Sequence, residues 1–261
     1  MSLKGKTALV TGSTSGIGLA IAHALAAEGA DVMLNGLGDP AAIAATVTAF
    51  TGKYPVRVAF DGADMSDPDA IAAMVERTRA ALGGPDILVN NAGIQFTAPI
   101  GAFPLERWNA ILAINLSAPF HAMQAAMPGM VAAGWGRVIN IASAHGLVGS
   151  AHKAAYVAAK HGVVGLTKVA AIEAANAGVT VNAICPGWVR TPLVEAQLEA
   201  RAIRDSKTLD VVMHELLTEK QPMAQFTSPE AIGAMAVYLC SDGARTVTGA
   251  ALSIDGGWTA V

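Results

Sequence analysis

Short apolar runs alternate with longer stretches of helical periodicity from one end of this chain to the other. The runs at 7–11, 31–35, 56–60, 87–90, 137–142, 180–185 and 250–254 read as strands. Several are apolar without polar alternation, the pattern of strands covered on both faces. Between them, 17–28, 40–50, 67–82 and 229–239 read as helices. A long helix is expected from Leu105 through Asn115, and another carries Tyr156 and Lys160. Strands and helices in alternation predict an α/β fold: one doubly wound parallel sheet with helices on both faces. It spans 1–261 as a single nucleotide-binding domain. The polar, charged segment 192–222 interrupts the pattern and is expected to be a small helical lid over the substrate crevice.

Composition narrows this picture. With 261 residues of which 53% are hydrophobic, one large domain can bury a sizeable core. Only 14% of residues are charged, so subunit contacts are expected as well. A net charge of -3 without a basic stripe argues against a nucleic-acid partner. The segment 108–136 lacks Asp, Glu, Lys and Arg, yet Asn109, Asn115, Pro119, His121, Gln124 and Pro128 interrupt it. A buried amphipathic helix is expected there, not a membrane span. Cys185 and Cys240 have neither metal-ligand spacing nor a disulfide framework. Reduced cysteines and an N-terminus without an apolar h-region lead to the expectation of a cytoplasmic protein with no metal.

The first strand runs into a glycine-rich turn with Gly12, Thr14, Ser15, Gly16, Ile17 and Gly18. Glycines there let backbone approach a pyrophosphate, and the following helix offers free N–H groups and the positive end of its dipole. The spacing G-x-x-x-G-x-G differs in register from the usual dinucleotide fingerprint. The second strand ends in Asn35-Gly36-Leu37-Gly38-Asp39, without the acid that commonly meets an adenosine ribose. No Lys or Arg stands in the glycine turn or just after that strand to meet a ribose phosphate. The expectation is therefore NAD, with Leu37 at the ribose. Asp64 is expected to accept from the adenine amine, with Met65 against the ring; a loop aspartate ahead of a helix-capping Ser66 is the competing reading. Asn91 and Gly93 follow the fourth strand, where open α/β sheets bind ligands. Pro186, Gly187, Val189 and Thr191 turn the chain around the expected nicotinamide site.

The chemistry converges on 143–160. Tyr156 and Lys160 are four residues apart, so on a helix they share one face. A neighbouring ammonium favours phenolate and tunes the phenol toward proton exchange with an alcohol or ketone. Ser143 is placed to bond the same substrate oxygen, and Asn115 is expected to bind water or a carbonyl near Lys160 and relay protons.

Taken together, TGSTSGIG, NNAG at 90–93, Asn115, Ser143, YVAAK at 156–160 and the Pro186-Gly187 pair resemble the short-chain dehydrogenase/reductase family along essentially the whole chain. The resemblance implies a seven-stranded Rossmann sheet and a homotetramer. It also implies a catalytic set of Asn115, Ser143, Tyr156 and Lys160, with Tyr156 as acid/base. The stretches IASAHGLV, GWVRTPLV and DGGW are similar to bacterial members that interconvert D-3-hydroxybutyrate and acetoacetate with NAD. That similarity implies that Gln95, His145, Lys153 and Gln197 hold the substrate carboxylate while Trp188 and Trp258 shape a pocket for a short chain. The competing readings are a packed histidine, a solvated lysine and a glutamine on an exposed helix face. The rival activity is an NADPH-dependent 3-oxoacyl reductase of the same family.

Overall fold

Seven parallel strands hydrogen-bond in the order β3-β2-β1-β4-β5-β6-β7 in the computed structural model. The structure describes residues 2–260, without the side chains of 192 and 193. The strands are β1 Thr7–Val10, β2 Asp31–Asn35, β3 Val58–Asp61, β4 Ile87–Asn90, β5 Gly136–Ile141, β6 Val179–Pro186 and β7 Ala251–Ile254. The helices are α1 Gly16–Ala27, α2 Pro40–Thr51, α3 Pro68–Leu82, α4 Leu105–Leu112, α5 Ala118–Ala133, α6 Ala154–Glu173, α7 Pro192–Asp205, α8 Leu209–Thr218 and α9 Pro229–Cys240.

The pleat explains why the strands are apolar throughout. In β1, Ala8 and Val10 join the core under α1 and α9, with Ile21, Leu25, Ile232 and Leu239. Leu9, between them, points the other way, to Met74, Val75, Met123 and Met130 on α3 and α5. Burying one such leucine contributes about 2 kcal/mol, and both layers do so along every central strand. Strand order reverses between β1 and β4, and a crevice opens at their carboxyl ends.

The helix expected from Leu105 through Asn115 is not continuous. It divides into α4, a π-helical turn at Ala113–Ser117, and α5. Pro119 has no N–H to give the Asn115 carbonyl four residues back, which opens the turn. The expected helix cap at Ser66 is also displaced by one residue. Asp67 accepts from Asp69 and Ala70 at the start of α3, while Ser66 donates to Asp64. The segment 192–222 forms α7 and α8, tied by Lys207 to Glu215 at 2.6 Å. No helix among the described residues is long and apolar enough to cross a membrane, and none of their His, Cys, Asp and Glu residues group as metal ligands.

Candidate active site

One crevice of about 480 Å³ runs along the carboxyl ends of the strands. At one end it is lined by Gly12, Thr14, Ser15, Gly16, Ile17, Leu37, Asp64 and Met65. Gly12 and Gly16 have φ of 61° and 56°, the left-handed region that glycine enters without strain. Gly18 lies beneath the crevice wall; a Cβ there would meet the Asn91 amide and the Gly12 carbonyl at 2.4 Å. That Asn91 amide donates to the carbonyls of Thr11 and Gly12, both at 2.9 Å, and pins the turn.

The end of α1 beside this turn suits an anion. Ser15 makes no side-chain cap and the first turn holds no acid, whereas α2 and α3 are capped by Asp39 and Asp67. The N–H groups of α1 and its dipole are left to a ligand such as a pyrophosphate. These residues fit a dinucleotide.

The strand-two acid is missing for a structural reason. Asn35 is fully buried and bonds in three directions: it accepts from Gly12 N at 3.2 Å and donates to the carbonyls of Asp61 and Ala63 at 3.0 Å. A carboxylate could not make the last two bonds. Asp39 is committed to Ala42 N at 2.9 Å, and Leu37 stands exposed at the crevice edge. No Lys or Arg belongs to the described lining at this end.

At the other end Asn91, Gly93, Gln95, Ser143, His145, Lys153, Tyr156, Lys160, Pro186, Gly187, Trp188, Val189, Thr191 and Trp258 line the same crevice. β5 delivers Ser143 just beyond its last residue, in extended backbone that starts a 3-10 turn over Ala144–Gly146. α6 brings Tyr156 and Lys160 to the crevice one turn apart. The buried Lys160 ammonium lies 5.6 Å from the Tyr156 ring centre and donates to the Ile141 carbonyl at 2.7 Å. Burial pushes Lys160 down to about 8. Burial also pushes the Tyr156 phenol up, and the opposing pull comes from a hydrogen bond to Ser143. The lowering expected from Lys160 is not seen: burial leaves the phenol above its ordinary value, and the Ser143 hydrogen bond is what pulls it down.

Asn115 bonds the backbone of the loop after β4. Its carboxamide is buried and exchanges two bonds with the Ile94 backbone, each 2.9 Å, so it fastens that loop.

Aromatic rings form the far wall. Trp188 stacks on Trp258 with centroids 5.8 Å apart at 27°, and Trp258 meets His145 edge to face at 4.9 Å. The Lys153 ammonium sits 5.2 Å over the Trp188 ring. Two buried nitrogens here, His145 Nε2 and Trp188 Nε1, have no partner among the described residues. Burial first, and then the charge on Lys153, pushes His145 down to about 3, so its ring is neutral. Buried unpartnered polar atoms are costly unless a ligand meets them. Gln197 is not in this wall: it is exposed on α7, one turn beyond Val194, which does line the crevice. Two contributors escaped sequence reasoning. Asn35 stood in plain view at a strand end, while Gln221, buried behind Trp188, carried no pattern signal.

The arrangement joins a phenol, a hydroxyl and an ammonium to a dinucleotide cradle, which defines a nicotinamide-dependent oxidoreductase. A family model described as enoyl-(acyl carrier protein) reductase matches residues 12–259. The chain is 57% identical over 258 residues to a D-beta-hydroxybutyrate dehydrogenase of Cupriavidus necator, covering 99% of each. It is 51% identical to one of Rhizobium meliloti, covering 98% of this chain and 99% of that one. Among solved structures it resembles L-sorbose reductase from Gluconobacter frateurii, complexed with NADPH and L-sorbose. The TM-score is 0.95 at 31% identity, covering 100% of this chain and 99% of that one. The chain belongs to the short-chain dehydrogenase/reductase family.

Proposed function

We propose that this protein interconverts D-3-hydroxybutyrate and acetoacetate with NAD. The observation that carries the reading is the cluster of unpartnered His145 Nε2 and Trp188 Nε1 beside the Lys153 ammonium. A small carboxylate supplies the acceptor those nitrogens lack and the charge that matches Lys153. The stacked indoles close the far wall and leave room for a short chain. The names of the two bacterial relatives support the same substrate.

In this reading Gln95, His145, Lys153 and Trp188 hold the carboxylate, and Trp258 limits chain length. The substrate oxygen lies between Ser143 and Tyr156. Ser143 orients it by a hydrogen bond. Tyr156 removes the hydroxyl proton during oxidation and returns it during reduction. Lys160 keeps positive charge beside the phenol and anchors α6 to the end of β5 through Ile141, while Asn115 fixes the loop that carries Gln95. A nicotinamide held there would supply the hydride for reduction of the ketone and accept it on oxidation of the alcohol. The cradle from Gly12 to Gly18 and the α1 N-terminus receive the pyrophosphate, Leu37 the adenosine ribose, Asp64 and Met65 the adenine. Asn91, Gly93, Pro186, Gly187, Val189 and Thr191 surround the nicotinamide end. α7 and α8 serve as the lid, and its closure turns Gln197 toward the carboxylate. Exposed apolar residues on α5 and α6, among them Val131, Val169 and Ile172, suit a homotetramer. The free, buried Cys185 and Cys240 agree with a cytoplasmic protein.

The test is acetoacetate reduction with NADH and with NADPH, beside a carrier-bound 3-oxoacyl substrate. Turnover of acetoacetate with NADH, lost in Tyr156→Phe while NADH still binds, is the expected result. Preference for the carrier substrate with NADPH would overturn the reading.

A further inference from the structure

A single buried amide stands behind the aromatic wall. Gln221, 2% exposed, lies just beyond α8, where its N–H bonds the Leu217 carbonyl at 2.8 Å. Its Oε1 accepts from Trp188 N at 2.6 Å. Its Nε2 donates to the carbonyls of Gln225 at 2.8 Å and Met223 at 3.4 Å. Two glycines make room for it. A Cβ on Gly187 would meet Oε1 at 2.5 Å, and one on Gly256 would meet Nε2 at 2.9 Å. Met223 N in turn donates to the Gly256 carbonyl at 2.9 Å. One side chain therefore ties Trp188's backbone to the 223–225 segment at the exit from α8, and Met223 carries the link on to Gly256 in the turn before Trp258. Those two indoles are the ones that stack on each other, carry the Lys153 ammonium and meet His145.

We infer that Gln221 is a positioning residue for recognition of the substrate's carboxylate: its amide holds the Trp188 backbone to the segment after α8, and that segment in turn bonds the turn before Trp258. Gln221 does not itself line the crevice; it reaches it only through the backbone of Trp188, which does. Its effect passes through the placement of Trp188 and the lysine above it. The inference rests on the carboxylate reading for its substrate, but the stacking it maintains can be measured without substrate.

The experiment uses full-length Gln221→Met, of similar volume but without the amide, and Gln221→Glu, which keeps an acceptor for Trp188 N. KM for acetoacetate should rise about tenfold in Gln221→Met, the scale of one lost buried hydrogen bond, with kcat within about threefold. The Glu variant should fall between it and the parent. The NADH Kd should hold within about twofold, and a neutral ketone lacking the carboxylate should show no comparable rise. The circular-dichroism couplet of the stacked indoles, identified by its absence in Trp188→Phe, should weaken in Gln221→Met. An unchanged acetoacetate KM with an intact couplet overturns the inference, as does an equal rise for the neutral ketone. If the parent enzyme ignores acetoacetate, the substrate reading fails, and the couplet alone decides the placement role.

Discussion

Lys160 and Ile141 are joined by a 2.7 Å hydrogen bond from the ammonium to the last carbonyl of β5. The bond fixes the buried cation at the strand end from which Ser143 projects, so α6 and β5 are locked together where the chemistry occurs. The helix thereby presents Tyr156 opposite Ser143 and cannot slide along the sheet.

Burying that cation has a thermodynamic consequence. Its pKa falls from 10.5 to about 8, which corresponds to roughly 3 kcal/mol of destabilisation at neutral pH. The unfolded chain binds more protons than the folded one between about 8 and 10.5, so this contribution makes stability rise with pH across that window. Lys160→Met should abolish turnover yet raise thermal stability at pH 7 by about 1–2 kcal/mol, the Ile141 carbonyl having lost a partner. The gain should shrink as pH climbs toward 10.5. Melting curves of both proteins from neutral to alkaline pH check this; a variant less stable at pH 7 would contradict it.

The buried Asn35 leads to a second expectation about coenzyme choice. Restoring the family's customary acid by Asn35→Asp should not tighten NAD. A carboxylate there would face the carbonyls of Asp61 and Ala63, where Asn35 now donates at 3.0 Å. The protein should lose about 2–4 kcal/mol of stability. Leu37, exposed at the crevice edge, is the position that tolerates change. Leu37→Arg should improve NADP affinity about tenfold relative to NAD by supplying a phosphate partner. Coenzyme titrations and melting curves measure both effects.

Asn35 also marks what a sequence can and cannot disclose. Strand and helix positions followed from period and apolarity, because a doubly covered sheet leaves few other places for runs such as ALV and ILV. The crevice followed too, since the glycine turn and the NNAG stretch sit at strand ends and YVAAK opens the helix after the fifth strand. What stayed hidden was the partner of each polar side chain. Asn115 bonds Ile94 across 21 residues, and Gln221 bonds Trp188 across 33. Such partners are set by how loops meet in space, and no local pattern encodes them. The π turn at Ala113–Ser117 was hidden for a related reason. Pro119 announces a missing donor, but only the fold decides whether the helix stops or widens.

Gln197 tests whether α7 moves. It lies one turn beyond Val194, and Val194 already lines the crevice. In the proposed closure, α7 would rotate about its start near Thr191 and bring the glutamine over the carboxylate end. Gln197→Ala should therefore raise the acetoacetate KM by about fivefold and leave NADH affinity unchanged. A KM equal to the parent's would remove this residue and the lid from the binding scheme.

His145 predicts the acid limit of the folded protein. Burial, then Lys153, lowers its pKa from 6.5 to about 3, so the ring stays neutral in the folded state while the unfolded chain takes up a proton. The unfolded state binds more protons throughout the window from about 3 to 6.5, and stability must fall as pH drops through it. At pH 4.5 the penalty reaches about 2–3 kcal/mol, from two units below 6.5 at 1.36 kcal/mol each. His145→Gln keeps a polar group in the pocket but has no proton to gain. The difference in unfolding free energy between pH 7 and pH 4.5 should therefore be smaller in the variant by about 2 kcal/mol. Urea titrations at the two pH values decide the point: an undiminished acid sensitivity in His145→Gln would mean that other groups govern it.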